Sequence, residues 1–236
     1  MGGGKGQRRS AFDFYRRLVY FSCMETIHEP KRRGRPRKDD TSRGDVRQAL
    51  IRSGMEIFTE KGFATAGLDE ILKRVGVPKG SFYYYFASKE EFGLAVIDAY
   101  AAFFLHKLER WLGNEKRSPL QRMADFAADA MAGMEQYDFR RGCLIGNLGQ
   151  EVGSLPEPYR ARLEEVFTQW QQRVARCLEE AQQQGAIGAD ADCEQWAEFF
   201  WIGWEGAVLR ARLVRSVQPM EQFSGMFLRM VSGGCS

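Results

Sequence analysis

Histidine is almost missing from this chain. Its 236 residues contain two, His28 and His106, so a Ser-His-Asp triad or a histidine-rich metal site has little to be built from. Cysteine is sparse and scattered. Cys23, Cys143, Cys177, Cys193 and Cys235 include no Cys-x-x-Cys pair, and an odd, dispersed set of 5 suits neither a disulfide framework nor a zinc cluster. No apolar run approaches the ~18 residues that a membrane-spanning helix needs. Alternating apolar–polar stretches and Asn-Gly hairpin turns are missing as well, which removes the usual signs of a β-sheet. No pair of acid–base residues or metal ligands stands at a telling spacing. These gaps argue against an enzyme, and no cofactor or metal is expected.

What is present is an ordinary globular composition, 44% hydrophobic and 28% charged. The net charge of +3 names no partner by itself. Its distribution does, because basic residues crowd the N-terminal part. Residues 1–42 read as a basic arm without fixed structure. Within it, Met1–Thr26 lacks coherent patterning, and Met24 is the expected start of native translation. Lys31-Arg-Arg-Gly-Arg-Pro-Arg-Lys38 follows. Gly34 and Pro36 keep this run out of a helix. Arg33, Arg35 and Arg37 then form a narrow cationic ribbon of AT-hook type, suited to the minor groove of A·T-rich DNA, where the potential is most negative.

Helical spacing begins near Asp45. Val46, Leu50, Gly54, Ile57 and Phe58 share one face and Gly62 closes the helix. A second helix reads Leu68-Asp-Glu-Ile-Leu-Lys-Arg-Val75, with acids at its start, bases at its end and Gly76 as stop. Pro78 opens a third. In it Phe82 and Phe86 are four apart and face inward, against Ile71, Val75 and Phe58, which leaves Ser81, Tyr83 and Tyr84 outward. This is helix, tight turn, helix. Phenols and lysines on the exposed face of a short helix suit phosphates, sugars and thymine methyls in a major groove. The candidate DNA contacts are Thr65, Lys79, Gly80, Ser81, Tyr83, Tyr84 and Lys89, with the three arginines of the arm.

The stretch from about Arg43 to Glu91 resembles the DNA-binding domain of TetR-family repressors. The matching segments are Ile57-Phe58, Lys61-Gly-Phe63, Leu68-Asp-Glu-Ile71, Gly76-Val-Pro-Lys-Gly-Ser-Phe-Tyr-Tyr-Tyr-Phe86 and Ser88-Lys-Glu-Glu-Phe92. Ala66-Gly67 departs from the hydroxyl residues usual there, and Thr65 is the remaining candidate for their cap and phosphate contact. The resemblance implies double-stranded operator DNA as partner, a small-molecule inducer and a cytoplasmic bacterial setting. It also implies residues 43–91 as the helix-turn-helix domain and 92–236 as a regulatory, ligand-binding and dimerisation domain.

Helical patterning continues to the end, so the fold class is all-α. The last two helices carry wide apolar faces, and Gly203, Gly206 and Ala207 permit close backbone approach, which points to a homodimer; twofold operators need twofold proteins. Arg140-Arg-Gly-Cys-Leu-Ile-Gly-Asn-Leu-Gly-Gln-Glu151 contains a short helix weakened by Gly146 and Gly149, which suits a movable link between ligand and DNA. It resembles the Gly-Cys-Leu-x-Gly-Asn-Leu motif of the TetR subgroup of acrylate-responsive AcuR and electrophile-sensing NemR repressors. Cys143 has two readings: a small buried hydrophobe, or a thiolate whose pKa is lowered by the helix N-terminus and by Arg140 and Arg141. A small unsaturated acid bound near it would need a cation or hydroxyl, for which Arg173, Tyr137 and Tyr159 are candidates, and Trp170, Trp201 and Trp204 are candidate walls. An all-α enzyme and an architectural AT-hook protein are the competing classes; the long second domain is hard to explain on the latter.

Overall fold

Gly62 and Gly76 punctuate the N-terminal part of the chain, both in the left-handed region, with φ of 82° and 76°. The computed structural model describes residues 38–233. The arm residues Arg33, Arg35 and Arg37 and the proposed start at Met24 lie outside the described residues. Ser42–Ser236 cluster as one compact unit, and of residues 38–43 only the helical backbone is described.

Helix α1 spans Lys38–Lys61. It begins well before Asp45, and no apolar residue precedes Val46 in it to mark a face. Gly62 ends it, as expected. Helix α2, Leu68–Val75, closes on Gly76, where the amides of Gly76 and Val77 return to the carbonyls of Lys73 and Leu72 at 3.3 and 3.0 Å. Helix α3, Lys79–Tyr85, is N-capped by Pro78.

These three helices have little core of their own and borrow Phe92 from α4 (Lys89–Leu112). Its ring meets Phe58, Phe82 and Phe86 edge-on, with centroids 5.8, 5.6 and 4.9 Å apart. Gly54 of α1 lies directly against Phe92 and Val96, so a side chain there would collide with both. Helix α4 starts on a reciprocal cap: Ser88 Oγ accepts from the Glu91 amide, and Glu91 accepts from the Ala87 amide at 2.7 Å. It then leaves the helix-turn-helix and runs into the body, so one rigid rod belongs to both parts.

The body adds α5 (Pro119–Gln136), α6 (Leu144–Gln150), a 3-10 turn (Val152–Ser154), α7 (Glu157–Gln183), α8 (Cys193–Val214) and α9 (Gln218–Val231). Among the described residues there are nine α-helices and no strand. The all-α architecture read from the sequence is the one observed. Aromatic side chains fill its interior. Phe104 of α4 packs on Trp170 of α7 at 4.3 Å, Trp170 on Trp201 of α8 at 5.0 Å, and Phe126 of α5 on Trp204 at 5.6 Å. Arg122 is also buried. Its guanidinium donates to the carbonyls of Leu112 and Arg117 and to Glu180, so it caps the end of α4 while holding a carboxylate. No described helix is long and apolar enough to cross a membrane.

Candidate DNA-binding face and inducer site

The short α3 presents two opposed faces. Phe82 is buried, whereas Tyr83 and Tyr84 are 63% and 57% exposed. Gly80 has open space where a side chain would stand. Lys79, at the start of α3, is exposed and pairs with Asp69 of α2 at 3.0 Å, so its ammonium sits at the mouth of the turn in a pair that water weakens. Ser81 is half-buried on the same helix. Thr65 is exposed and donates to the Lys61 carbonyl; the N-terminus of α2 at Gly67 has no side-chain cap.

Behind this face the helix-turn-helix is tied to the body at two places. On one side Tyr159 of α7 packs its ring on Phe63 and donates its hydroxyl to the Glu90 carbonyl at 2.8 Å. It reaches that carbonyl only because Gly93 has no side chain in its way. On the other side stand α6 and its flanks. Asn147 donates to the Thr59 carbonyl at 2.9 Å and accepts from Arg212 of α8 at 2.7 Å. Glu151 accepts from the amides of Phe63 and Ala64 at 3.2 and 3.0 Å. Arg141 bridges to Glu60 and Glu56 of α1 at 2.8 and 3.3 Å. Thr59, Glu60, Asn147, Glu151 and Arg212 line a polar cleft of about 230 Å³ between the end of α1, α6 and α8.

The opposite end of α6 enters the interior. Cys143 is its N-cap, and the thiol sulfur accepts from the Gly146 amide at 3.4 Å. The carboxyl of Glu205, on α8, faces this thiol across Gly146. It lies so close to Gly146 that any side chain there would overlap it. The Tyr100 phenol of α4 faces the same thiol and the backbone of Leu144, and its ring stacks on Phe104 at 5.9 Å. Burial drives all three groups toward their neutral forms. It raises the Tyr100 phenol well above its usual value. It raises the Cys143 thiol likewise, and the Glu205 charge raises it further. It lifts Glu205 to about 7, against a smaller opposing effect of the thiol. One carboxyl oxygen, Glu205 Oε1, is buried without a partner, as are the indole N–H groups of Trp170 and Trp201. Aromatic rings thus surround a small set of unsatisfied polar atoms, of the kind a small polar ligand or water would complete.

Residues 50–96 match the family model described as bacterial regulatory proteins, tetR family, and residues 119–227 match that of the tetracyclin repressor-like C-terminal domain. A "Transcriptional regulator AcuR" from Cereibacter sphaeroides is 48% identical over 205 residues, 86% of this chain and 93% of that protein. This chain belongs to the TetR family. The "HTH-type transcriptional repressor NemR" from Escherichia coli is 30% identical over 177 residues, 75% of this chain and 89% of its own length. A crystal structure of a regulatory protein TetR from Rhodobacter sphaeroides superposes with a TM-score of 0.76 at 49% identity, over 78% of this chain and 97% of that one. The protein is a regulator of the TetR type.

Within that TetR frame the predicted site residues divide. Lys79, Gly80, Ser81, Tyr83 and Tyr84 share one exposed helix. Lys89 does not join them. Its ammonium donates to the Phe63 carbonyl at 2.9 Å and lies 4.4 Å over the Phe63 ring, and burial lowers its pKa against the pull of Glu151. Cys143, Trp170, Trp201 and Trp204 gather in the interior. Three others stand apart. Tyr159 is at the joint already described. Tyr137 ends α5 beneath the Arg141 guanidinium, 4.2 Å away. Arg173 pairs with Glu109 at 3.0 Å. Nor do Arg140 and Arg141 lower the thiol's pKa: Arg141 is held by α1 and burial prevails. Tyr100, Glu205, Asn147 and Glu151 were not singled out by sequence reasoning. Glu205 left a trace, an acid in register with Trp201 and Val208 on an otherwise apolar face. The other three gave none, because their partners lie 43 to 88 residues away in the chain.

Proposed function

We propose that the protein is a homodimeric operator-binding repressor released by a small unsaturated or electrophilic inducer, acrylate being the model compound. The inducer enters among Tyr100, Cys143, Glu205, Trp170, Trp201 and Trp204. A single observation carries this reading. The segment from Cys143 to Glu151 contacts that cluster at one end and the helix-turn-helix at the other, through Asn147 and Glu151. With Gly146 and Gly149 inside it, α6 is weak by propensity and shifts at small cost. Moving α6 or α4 changes the separation of two recognition helices in a dimer, and half-sites one DNA turn apart tolerate little change.

The dimer face is proposed on α8 and α9. Phe199, Ile202, Gly206, Leu209 and Leu213 recur at spacings of three and four, and Ile202 and Leu213 are each 67% exposed. Met226 of α9 adds to this apolar area. Gly203 is not free for that purpose, because Phe223 of α9 occupies the space above it. In this reading α3 enters the major groove, Lys79 exchanging Asp69 for a phosphate, while Arg33, Arg35 and Arg37 follow the minor groove. A second reading, covalent modification of Cys143 in place of reversible binding, is favoured by the contact of that thiol with a carboxyl.

The test is fluorescence anisotropy with DNA from upstream of the protein's own gene. Binding should weaken steeply between 50 and 200 mM salt, in the order of 10³-fold or more if six or more phosphates are contacted. Acrylate or N-ethylmaleimide should release the DNA. Tight binding unaffected by either compound refutes the inducer and leaves the repressor. A Cys143→Ser protein that still responds to N-ethylmaleimide refutes the covalent reading.

A further inference from the structure

Cys143 is poorly placed to be a resting thiolate. It is 6% exposed, no cation among the described residues acts on it, and the basic side chains nearby are engaged elsewhere. Arg141 is held by Glu60 and Glu56, and Arg212 by Asn147 and the Arg140 carbonyl. The groups that face the thiol are a carboxyl and a phenol, Glu205 from α8 and Tyr100 from α4. Glu205 acts on both the thiol and the Tyr100 phenol. A thiol in such a site needs its proton removed as it reacts, and the carboxyl that shares the Gly146 backbone as its neighbour is the group placed to do it.

We propose that Glu205 is the acid–base partner of Cys143 in the addition of this thiol to α,β-unsaturated carbonyl compounds. The Glu205 carboxylate takes the thiol proton as the sulfur attacks the β-carbon. The S–C bond forms, and the π electrons of the C=C bond pass to the α-carbon and its carbonyl. The protonated Glu205 then delivers the proton to the α-carbon. The net change is addition of S–H across the double bond, so no oxidant, reductant or leaving group is required.

Two further observations fit the assignment. Glu205 stands at about 7, so both its forms are populated near neutrality, as an acid–base group needs. The Trp201 indole N–H, one turn earlier on the same helix, is buried and has no acceptor, and it offers a donor for the carbonyl oxygen on which charge develops. A buried carboxylate also disfavours an anionic ligand. Uncharged unsaturated esters, ketones and imides are therefore the expected substrates of this addition, whereas an acid such as acrylate is a ligand for the reversible reading, held while Glu205 is protonated. Tyr100 is a positioning residue, tying the thiol to α4.

The proposal rests on the inducer reading above, and the experiment keeps the two apart. Full-length protein is treated with methyl acrylate or N-ethylmaleimide across pH 5 to 9, and Cys143 modification is followed by peptide mass spectrometry. The wild-type rate should rise with pH and level off just above neutrality, following Glu205. Glu205→Gln should lower the rate about 10²-fold or more and abolish the plateau, while Glu205→Asp should restore part of both. Circular dichroism verifies that each variant is folded. Should the glutamine variant misfold, the wild-type profile decides by itself: a rate still climbing tenfold per pH unit at pH 9 overturns the proposal. So does a Glu205→Gln protein that reacts like the wild type. Modification with the expected profile but without DNA release upholds the acid–base pair and removes the induction reading. Release of DNA with Cys143 unmodified upholds induction and overturns the pair.

Discussion

Two glycines with nearly the same backbone allow the joint between head and body to be weighed. Gly62 and Gly76 both end helices of the DNA-binding head at φ of 82° and 76°. An alanine at either position meets the left-handed penalty, about 1–2 kcal/mol, less a few tenths to ~1 kcal/mol returned by restricting the unfolded chain. At Gly76 nothing lies within 4 Å of the new methyl, so that difference is the whole effect and Gly76→Ala should cost about 1 kcal/mol. At Gly62 the methyl would overlap the Glu151 carboxylate. Glu151 must then leave the amides of Phe63 and Ala64, to which it is bonded at 3.2 and 3.0 Å. A charged hydrogen bond contributes ~1.5–3 kcal/mol when buried, and Glu151 is half-exposed, so the two together are taken as about 1–3 kcal/mol. Gly62→Ala should therefore cost about 2–4 kcal/mol. Glu151→Ala measures the latch directly, and adding Gly62→Ala to it should cost only a further ~1 kcal/mol, because the clash is gone. Guanidinium unfolding at one fixed protomer concentration supplies the values. If Gly62→Ala is no more harmful than Gly76→Ala, the Glu151 latch contributes nothing and the coupling argued through α6 loses its anchor.

Other expectations follow from the same geometry. Glu205 has its pKa raised in the folded state, from 4.5 to about 7. The stability tied to its protonated form is complete below pH 4.5 and is lost as pH rises through 7, up to about 3 kcal/mol at ~1.4 kcal/mol per pH unit. Glu205→Gln should accordingly gain stability over the wild type between pH 5 and 8, and a gap independent of pH in chemical denaturation would contradict this. Gly93→Ala should displace the Tyr159 hydroxyl from the Glu90 carbonyl at a cost of about 1–3 kcal/mol, more than Tyr159→Phe, as read from thermal melts. Lys79→Ala should weaken operator binding across all sequences and reduce the salt slope by about one. Tyr83→Ala should weaken it without that change, and equal slopes for the two would place Lys79 off the phosphates.

The division between what was legible and what was not follows the range of the interactions. Local order was written in the chain. The stops at Gly62 and Gly76, the inward Phe82 and Phe86, the outward Tyr83 and Tyr84 and the apolar stripes of the later helices depend on spacings of a few residues. Backbone conformation and helical period act over that distance, and so the all-α class and the recognition helix could be read directly. The early start of α1 was missed for the same reason, since its first turns carry no apolar residue to mark a face.

Tertiary structure alone decided where charges and polar groups found their partners. Lys89 looked like a phosphate contact and instead holds the Phe63 carbonyl. Arg141 looked like an activator of Cys143 and instead grips α1. The thiol's neighbours, Glu205 and Tyr100, come from helices 62 and 43 residues distant in the chain. A pKa or a hydrogen bond depends on what stands within a few ångströms, and folding brings together residues whose separation along the chain carries no trace of that meeting.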